Sequence, residues 1–267
     1  MVSTGWQEVA GGVLVRRHAE LDLNCGLVLG DGACLVVDTR SQLGEAADLV
    51  AAVRAVTPHP WTVVNTHAHY DHCFGNAAFR PAVIWGSRGC AAALTATADE
   101  QRAAVVAELR AAGDAPAAEL VRAAPVDPPD ALVDGTAVLD VGGREVVLRF
   151  LGRGHTDHDL VVEVEADGDA TVIFAGDLVE QGAPPAFEDA WPAEWPATLG
   201  RVHALARGPV VPGHGAVVDA AFVGTQRAEL LAVLDALRED RLDAGPYPPA
   251  TMRTAATRLR APELRSR

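Results

Sequence analysis

Four apolar runs in this chain each stop at a turn that carries histidine or aspartate. Trp61 to Asn65 enters Thr66-His67-Ala68-His69-Tyr70-Asp71-His72, and Glu145 to Leu151 enters Gly152-Arg153-Gly154-His155. Thr171 to Phe174 enters Ala175-Gly176-Asp177, and Pro209 to Val211 enters Pro212-Gly213-His214-Gly215. Short apolar runs bounded by turn residues read as buried strands. Glycine beside each of the later turns lets the backbone bend tightly and approach closely. A fold that accommodates all four must bring their imidazoles and carboxylates to one rim.

The rest of the chain supplies the scaffold. Gly12 to Arg17, Leu27 to Leu29 and Ala33 to Val37 read as strands, with Asp31-Gly32 as a hairpin turn. Leu43, Ala46, Ala47, Val50, Val53 and Val56 repeat with the period of an amphipathic helix, which ends before Pro58. A strand at Ala82 to Trp85 precedes a helix from near Ser87. Residues 95–130 are Ala-rich, helical through Asp99 to Ala112, and close on Pro125, Pro128 and Pro129, so they read as an inserted segment capping one edge. Strands resume at Ala137 to Val141, Glu145 to Leu151, Leu160 to Glu165 and Thr171 to Phe174, with Gly142-Gly143 and Asp167-Gly168 as turns. Helices are expected at Glu194 to Arg207, Ala220 to Asp240 and Ala250 to Leu259. Interspersed strands and helices without a linker predict an α/β fold, sheets covered by helices, in one domain over 1–267.

Composition narrows the chemistry. The 22 basic residues are all arginine and face 36 acidic ones, for a net charge of -14. Without lysine no Schiff base can form. An acidic chain repels phosphate backbones, and no basic patch precedes the stretch Arg253 to Arg267, so nucleic acid is not an expected partner. Cys25, Cys34, Cys73 and Cys90 lack Cys-x-x-Cys spacing, which removes thiolate zinc sites and leaves buried reduced thiols. Met1 to Glu20 has neither a basic leader nor an apolar stretch, and no run of about 18 apolar residues exists. We therefore expect no signal peptide, no membrane span and a cytoplasmic protein; the oligomeric state is not legible.

Imidazole and carboxylate without thiolate suit Zn²⁺, with Mn²⁺ or Fe²⁺ as alternatives. His67, His69, Asp71, His72, His155, Asp177 and His214 are too many for one tetrahedral ion, so two ions are expected. His67 and His69, at i and i+2 of an extended loop, point the same way and can grip one ion; Asp71 and His72 can grip its neighbour. Two ions about 3.5–4 Å apart call for a bridging carboxylate. Asp177 is the candidate.

His67-x-His69-x-Asp71-His72, followed by His155, Asp177 and His214, resembles the metallo-β-lactamase superfamily of metallo-hydrolases. The resemblance runs from the hairpin ending Val36-Val37-Asp38-Thr39 to the His214 loop. It implies a four-layer αβ/βα sandwich with the metals at one edge. It assigns His67, His69 and His155 to one ion, Asp71, His72 and His214 to the other, and Asp177 to both. Asp38 matches a position that supports the ligands.

The implied reaction starts from water held between two cations, which loses a proton near neutral pH. The hydroxide attacks a carbonyl carbon, and Asp71 is the catalytic candidate for orienting it or shuttling its proton. Superfamily members that hydrolyse β-lactams generally lack a carboxylate at the Asp177 position, which favours the glyoxalase II-like and lactonase-like branches. The missing lysine weakens the first, where basic residues anchor glutathione. Leu178 to Trp195 contains no tyrosine, a departure from quorum-signal lactonases. The expectation is a binuclear zinc hydrolase acting on an ester, thioester or lactone of a small molecule. A persulfide dioxygenase binding one iron through His67, His155 and Asp177 is the first alternative, then β-lactam hydrolysis, with a nuclease or a non-catalytic scaffold behind.

Other conspicuous residues read as structural. His18 and His203 are expected to be solvated or locally hydrogen-bonded, His59 to sit in a connecting loop, and His158 to pack near the site. Cys73 is expected to point away from the metals, and Trp85, Trp191 and Trp195 to pack. Tyr70 reads equally as pocket wall or cover of the metal loop. Gln181 to Phe187 is either pocket lining or a surface loop on the core.

Overall fold

The computed structural model describes residues 5–166 and 168–261. Asp167 of the expected Asp167-Gly168 turn, the end of the Arg253 to Arg267 stretch and the first four residues lie outside them.

The first sheet holds seven strands in sequential order: β1 (Trp6–Ala10), β2 (Val13–Arg17), β3 (Asn24–Leu29), β4 (Cys34–Val37), β5 (Trp61–Val64), β6 (Ile84–Ser87) and β7 (Ala131–Val133). β1 to β4 form an antiparallel meander, and β4 to β7 run parallel. Parallel neighbours need crossovers, supplied by α1 (Leu43–Val56), the short α2 (Tyr70–Cys73), and α3 (Arg88–Ala111) with α4 (Ala115–Ala123). The second sheet holds β8 (Thr136–Val141), β9 (Arg144–Phe150), β10 (Leu160–Glu165), β11 (Thr171–Glu180) and β12 (Val210–His214) in the order β12-β11-β10-β9-β8. α5 (Trp195–Leu205), α6 (Ala220–Arg238) and α7 (Pro249–Leu259) complete the chain.

Strand alternation sorts the side chains into layers. On β4, Leu35 and Val37 join Leu148, Val162 and Phe174 between the sheets, whereas Val36 joins Leu49 and Val53 of α1. On β11, Val172 and Phe174 face the other sheet while Ile173 packs against Trp195, Leu199 and Leu230. The result is helix, sheet, sheet, helix, the four-layer sandwich the resemblance implied. Gly26 lets the sheets close, because a Cβ there would lie 2.4 Å from the Phe174 ring.

Several elements differ from the sequence expectation. β1 and β7 were not anticipated. The two expected helical stretches after Ser87 are one 24-residue helix, α3, capped by the Ser87 hydroxyl. β11 does not stop at Phe174 but stays extended and buried through Glu180, with register shifts around Gly176. Asp177 therefore sits within an irregular strand, not on a loop after one. All four cysteines are buried and unpaired. Among the described residues no helix is long and apolar enough to cross a membrane.

Candidate metal centre

Each chemistry-bearing side chain is delivered by a distinct local device. β5 ends at Val64, and the loop that follows carries His67 and His69. The extended loop expected for His67 and His69 ends there: Asp71 and His72 occupy the short helix α2, which starts as soon as His69 has made its extended turn. Asp38, just past β4, adopts a left-handed conformation (φ 61°) and aims its carboxylate back. It accepts from the Thr66 amide and hydroxyl, both at 2.8 Å, and lies 2.8 Å from His72 Nδ1. His155 sits in a turn tied by Thr156, whose amide and hydroxyl donate to Asp159. His158 is structural, as expected: its Nε2 accepts from the Ala68 amide at 3.2 Å. Cys73 points its thiol at the His69 carbonyl.

Asp177 depends on its neighbour across the parallel pair. A Cβ on Gly213 would lie 1.7 Å from Asp177 Oδ1, so only glycine leaves room for the carboxylate. His214, the last residue of β12, has its Nδ1 2.7 Å from the Leu21 carbonyl oxygen. Its ring position is thus set by a loop 193 residues earlier in the chain.

The donor atoms fall into two groups, each within 4.8 Å: His67, His69, His155 and Asp177, then Asp71, His72 and His214. His69 Nδ1 and His155 Nε2 are 2.9 Å apart, and His72 Nε2 and His214 Nε2 are 3.4 Å apart. Asp177 Oδ2 is 3.6 Å from His67 Nε2, 3.5 Å from His155 Nε2 and 3.3 Å from His214 Nε2. Its Oδ1 is 3.2 Å from His72 Nε2. Ligands about 2.0–2.1 Å from a tetrahedral ion lie roughly 3.3 Å from one another, so these spacings are those of coordination shells. His67 Nε2 and Asp177 Oδ1 are buried without a hydrogen-bond partner. Such orphans cost about 1–3 kcal/mol each unless a cation satisfies them. The residues fit a divalent metal.

Burial lowers the His72 and His214 pKa values, but Asp177 and Asp71 outweigh it, raising His72 well above its ordinary range and His214 to about 12. His67 goes the other way, held low by burial and by the neighbouring His72. Cation uptake by such a cluster displaces protons.

A family model described as the metallo-beta-lactamase superfamily matches residues 20–236. The chain belongs to that superfamily. Solved structures agree on the fold. A metallo-beta-lactamase from Pontibacter korlensis is 18% identical with a TM-score of 0.63, over 85% of this chain and 98% of that one. FIM-1 from Pseudomonas aeruginosa, in its mono-zinc form, is 19% identical with a TM-score of 0.58, over 85% and 94%. DIM-1 is 16% identical with a TM-score of 0.61, over 84% and 94%. No curated protein matched by sequence. Superfamily membership and the histidine–aspartate cluster together imply divalent metal binding.

In this metallo-β-lactamase superfamily member a cavity of about 640 Å³ opens over the cluster. Gln101, Val105 and Glu108 of α3 form one wall, so the Ala-rich segment reaches the site. The 181–190 loop forms another, with Gly182, Ala183 and Ala186 facing the cavity while Phe187 is buried against Trp195. Both readings of that loop therefore hold, each for different residues. Tyr70 likewise lines the cavity and packs on Phe74.

Sequence reasoning missed several contributors. Asp189 lies 3.0 Å from His69 Nε2. Glu180 is buried at the cavity, accepts from the Ala186 amide, and is pushed up to about 8 by burial and by Asp177. Leu21 and Asp22, both with positive φ, turn the 19–23 loop toward His214 and the cavity. Their left-handed backbone marks the turn in the structure, but no feature of the sequence announces it. His18 corrects an expectation: it is buried, and its Nε2 lacks a partner.

Proposed function

We propose that the protein is a binuclear zinc-dependent hydrolase that cleaves an ester, thioester or lactone bond of a small uncharged or cationic molecule. The observation that carries this reading is Asp177, whose two oxygens lie 3.2–3.6 Å from imidazole nitrogens of both donor groups. His67, His69 and His155 would hold one ion, Asp71, His72 and His214 the second, and Asp177 both. Nitrogen and oxygen donors without thiolate suit zinc. When bound, two such ions acidify water and polarise a carbonyl oxygen.

The chain's own residues do the rest. Asp71 faces the cavity with Oδ2 turned to His214 at 3.4 Å, which leaves Oδ1 to orient the attacking water and take its proton. Asp38 fixes the His72 ring through Nδ1, and Leu21 fixes His214 in the same manner. Leu21, Val105 and Ala186 supply apolar wall that excludes bulk water from the reacting bond.

The wall also selects by charge. Among the described residues, Asp22, Glu108, Glu180, Glu188 and Asp189 line the cavity and no arginine does. Asp22 is neutralised by Arg17 at 2.5 and 2.6 Å, whereas Glu108 and Glu188 at the rim have no such partner among the described residues. An anionic thiol carrier such as glutathione, or a nucleic acid, meets no arginine anchor on that wall among the described residues. A cytoplasmic setting is in keeping with four buried, unpaired thiols.

The test is metal analysis of purified protein alongside a panel of esters, thioesters, lactones and β-lactams. Two zinc ions per chain with turnover of an ester, thioester or lactone is the expected result, and Asp177→Ala should lose metal and turnover together. One iron per chain with oxygen uptake on glutathione persulfide would replace the hydrolase reading with a dioxygenase.

A further inference from the structure

His69 uses its two ring nitrogens in opposite directions. Nδ1 lies 2.9 Å from His155 Nε2, inside the donor cluster, and Nε2 lies 3.0 Å from Asp189 Oδ2, outside it. An imidazole can coordinate only through an unprotonated nitrogen, so a ligating Nδ1 puts the ring proton on Nε2, where it donates to Asp189. Asp189 belongs to the segment that walls the cavity, whose exposed tip, Gly182 to Pro184, carries none of the described hydrogen bonds. Beyond that tip the segment is fixed by the buried Phe187, by Arg258 Nε donating to the Ala190 carbonyl at 2.7 Å, and by the Trp191 amide donating to the Gly154 carbonyl at 2.8 Å. Gly154 directly precedes His155. Two of the three imidazoles of the first donor group, His69 and His155, are thus tied to the same cavity wall.

We propose that Asp189 is a positioning residue that couples metal occupancy to the order of the 181–190 wall. It holds His69 in the ligating tautomer and orientation; by reciprocity, an ion that fixes His69 strengthens the Asp189 contact by the same factor and steadies the wall. The substrate cavity then takes its final shape only on the metal-loaded protein. The inference rests on the divalent-metal reading of the cluster and on nothing about the substrate.

The test compares full-length wild type, Asp189→Asn, Asp189→Glu and the remote Asp235→Asn. Zinc affinity is read by competition with a chromophoric chelator, His69 ligation by the visible spectrum of the cobalt-substituted protein, and wall order by hydrogen exchange of the 181–190 amides with and without zinc. Zinc should slow exchange in the wild type and in Asp235→Asn. Asp189→Asn should bind zinc about 10–100-fold more weakly, with an altered cobalt spectrum and no zinc-dependent protection, and Asp189→Glu should recover part of each. An Asp189→Asn protein with wild-type affinity, spectrum and protection overturns the coupling alone. A wild type that binds no divalent ion overturns both the coupling and the metal reading beneath it.

Discussion

Asp177 Oδ1 occupies the space where a side chain on Gly213 would begin, 1.7 Å from a Cβ built there. The carboxylate between the two donor groups is therefore seated by an absence, one residue before the last histidine of the cluster. Gly213→Ala must move either Asp177 or β12. We expect metal content to fall to that of Asp177→Ala, while circular dichroism still reports the sandwich. Retention of full metal content in Gly213→Ala would contradict the seating role.

Asp38 offers a gentler perturbation. Its carboxylate takes two hydrogen bonds from Thr66 and orients His72 through Nδ1. Asparagine tolerates the left-handed backbone at this position but brings an NH₂ where an acceptor is needed. Asp38→Asn should weaken metal binding about 10–100-fold, measured by chelator competition, with little change in substrate KM once the metal is saturating.

The cavity wall predicts a charge preference. For matched substrates that differ only in a distal ammonium, neutral or carboxylate group, kcat/KM should rank in that order. Glu108→Gln with Glu188→Gln should compress the ranking, by roughly tenfold if each rim contact contributes on the order of 0.5–1 kcal/mol, as exposed ion pairs do. An unchanged ranking would place the selection elsewhere.

His18 predicts an acid-side loss of stability. Burial, with Arg40 and Arg16 nearby and Glu20 opposing them, lowers its pKa to about 3. Unfolded, it titrates near 6.5. Between those values the unfolded chain binds a proton that the folded chain refuses, so stability falls as pH drops from about 6.5 toward 3. Urea unfolding of His18→Gln should show a shallower slope than wild type over that window, by at most about 1.4 kcal/mol per pH unit.

The donor set was legible because its spacing is local: His67 to His72 lie within six residues, and each later ligand adjoins glycine. The layers were legible because β4, β9 and β10 alternate or run apolar. β11 was cut short because Gly176 and Asp177 interrupt its apolar run, although the metal-facing stretch beyond is as buried as the rest. α3 was read in two parts because Thr95 and Thr97 weaken its helical pattern; both hydroxyls bond back four residues within the helix. β7 has only three residues. Asp189 could not be picked from 36 acidic residues, since its partner lies 120 positions away. Leu21 contributes a carbonyl, which every residue has.

The division of the cluster along the chain has a mechanical meaning. His67, His69, Asp71 and His72 follow a strand of the first sheet, whereas His155, Asp177 and His214 follow or belong to strands of the second. Any ion gripped from both sides is a rivet through the sandwich. An ion that binds only the folded chain at about a hundred times its Kd adds about 2.7 kcal/mol to stability. A chelator should therefore do more than silence the site: it should loosen the seam between the sheets, beginning at the rim where the strand ends meet.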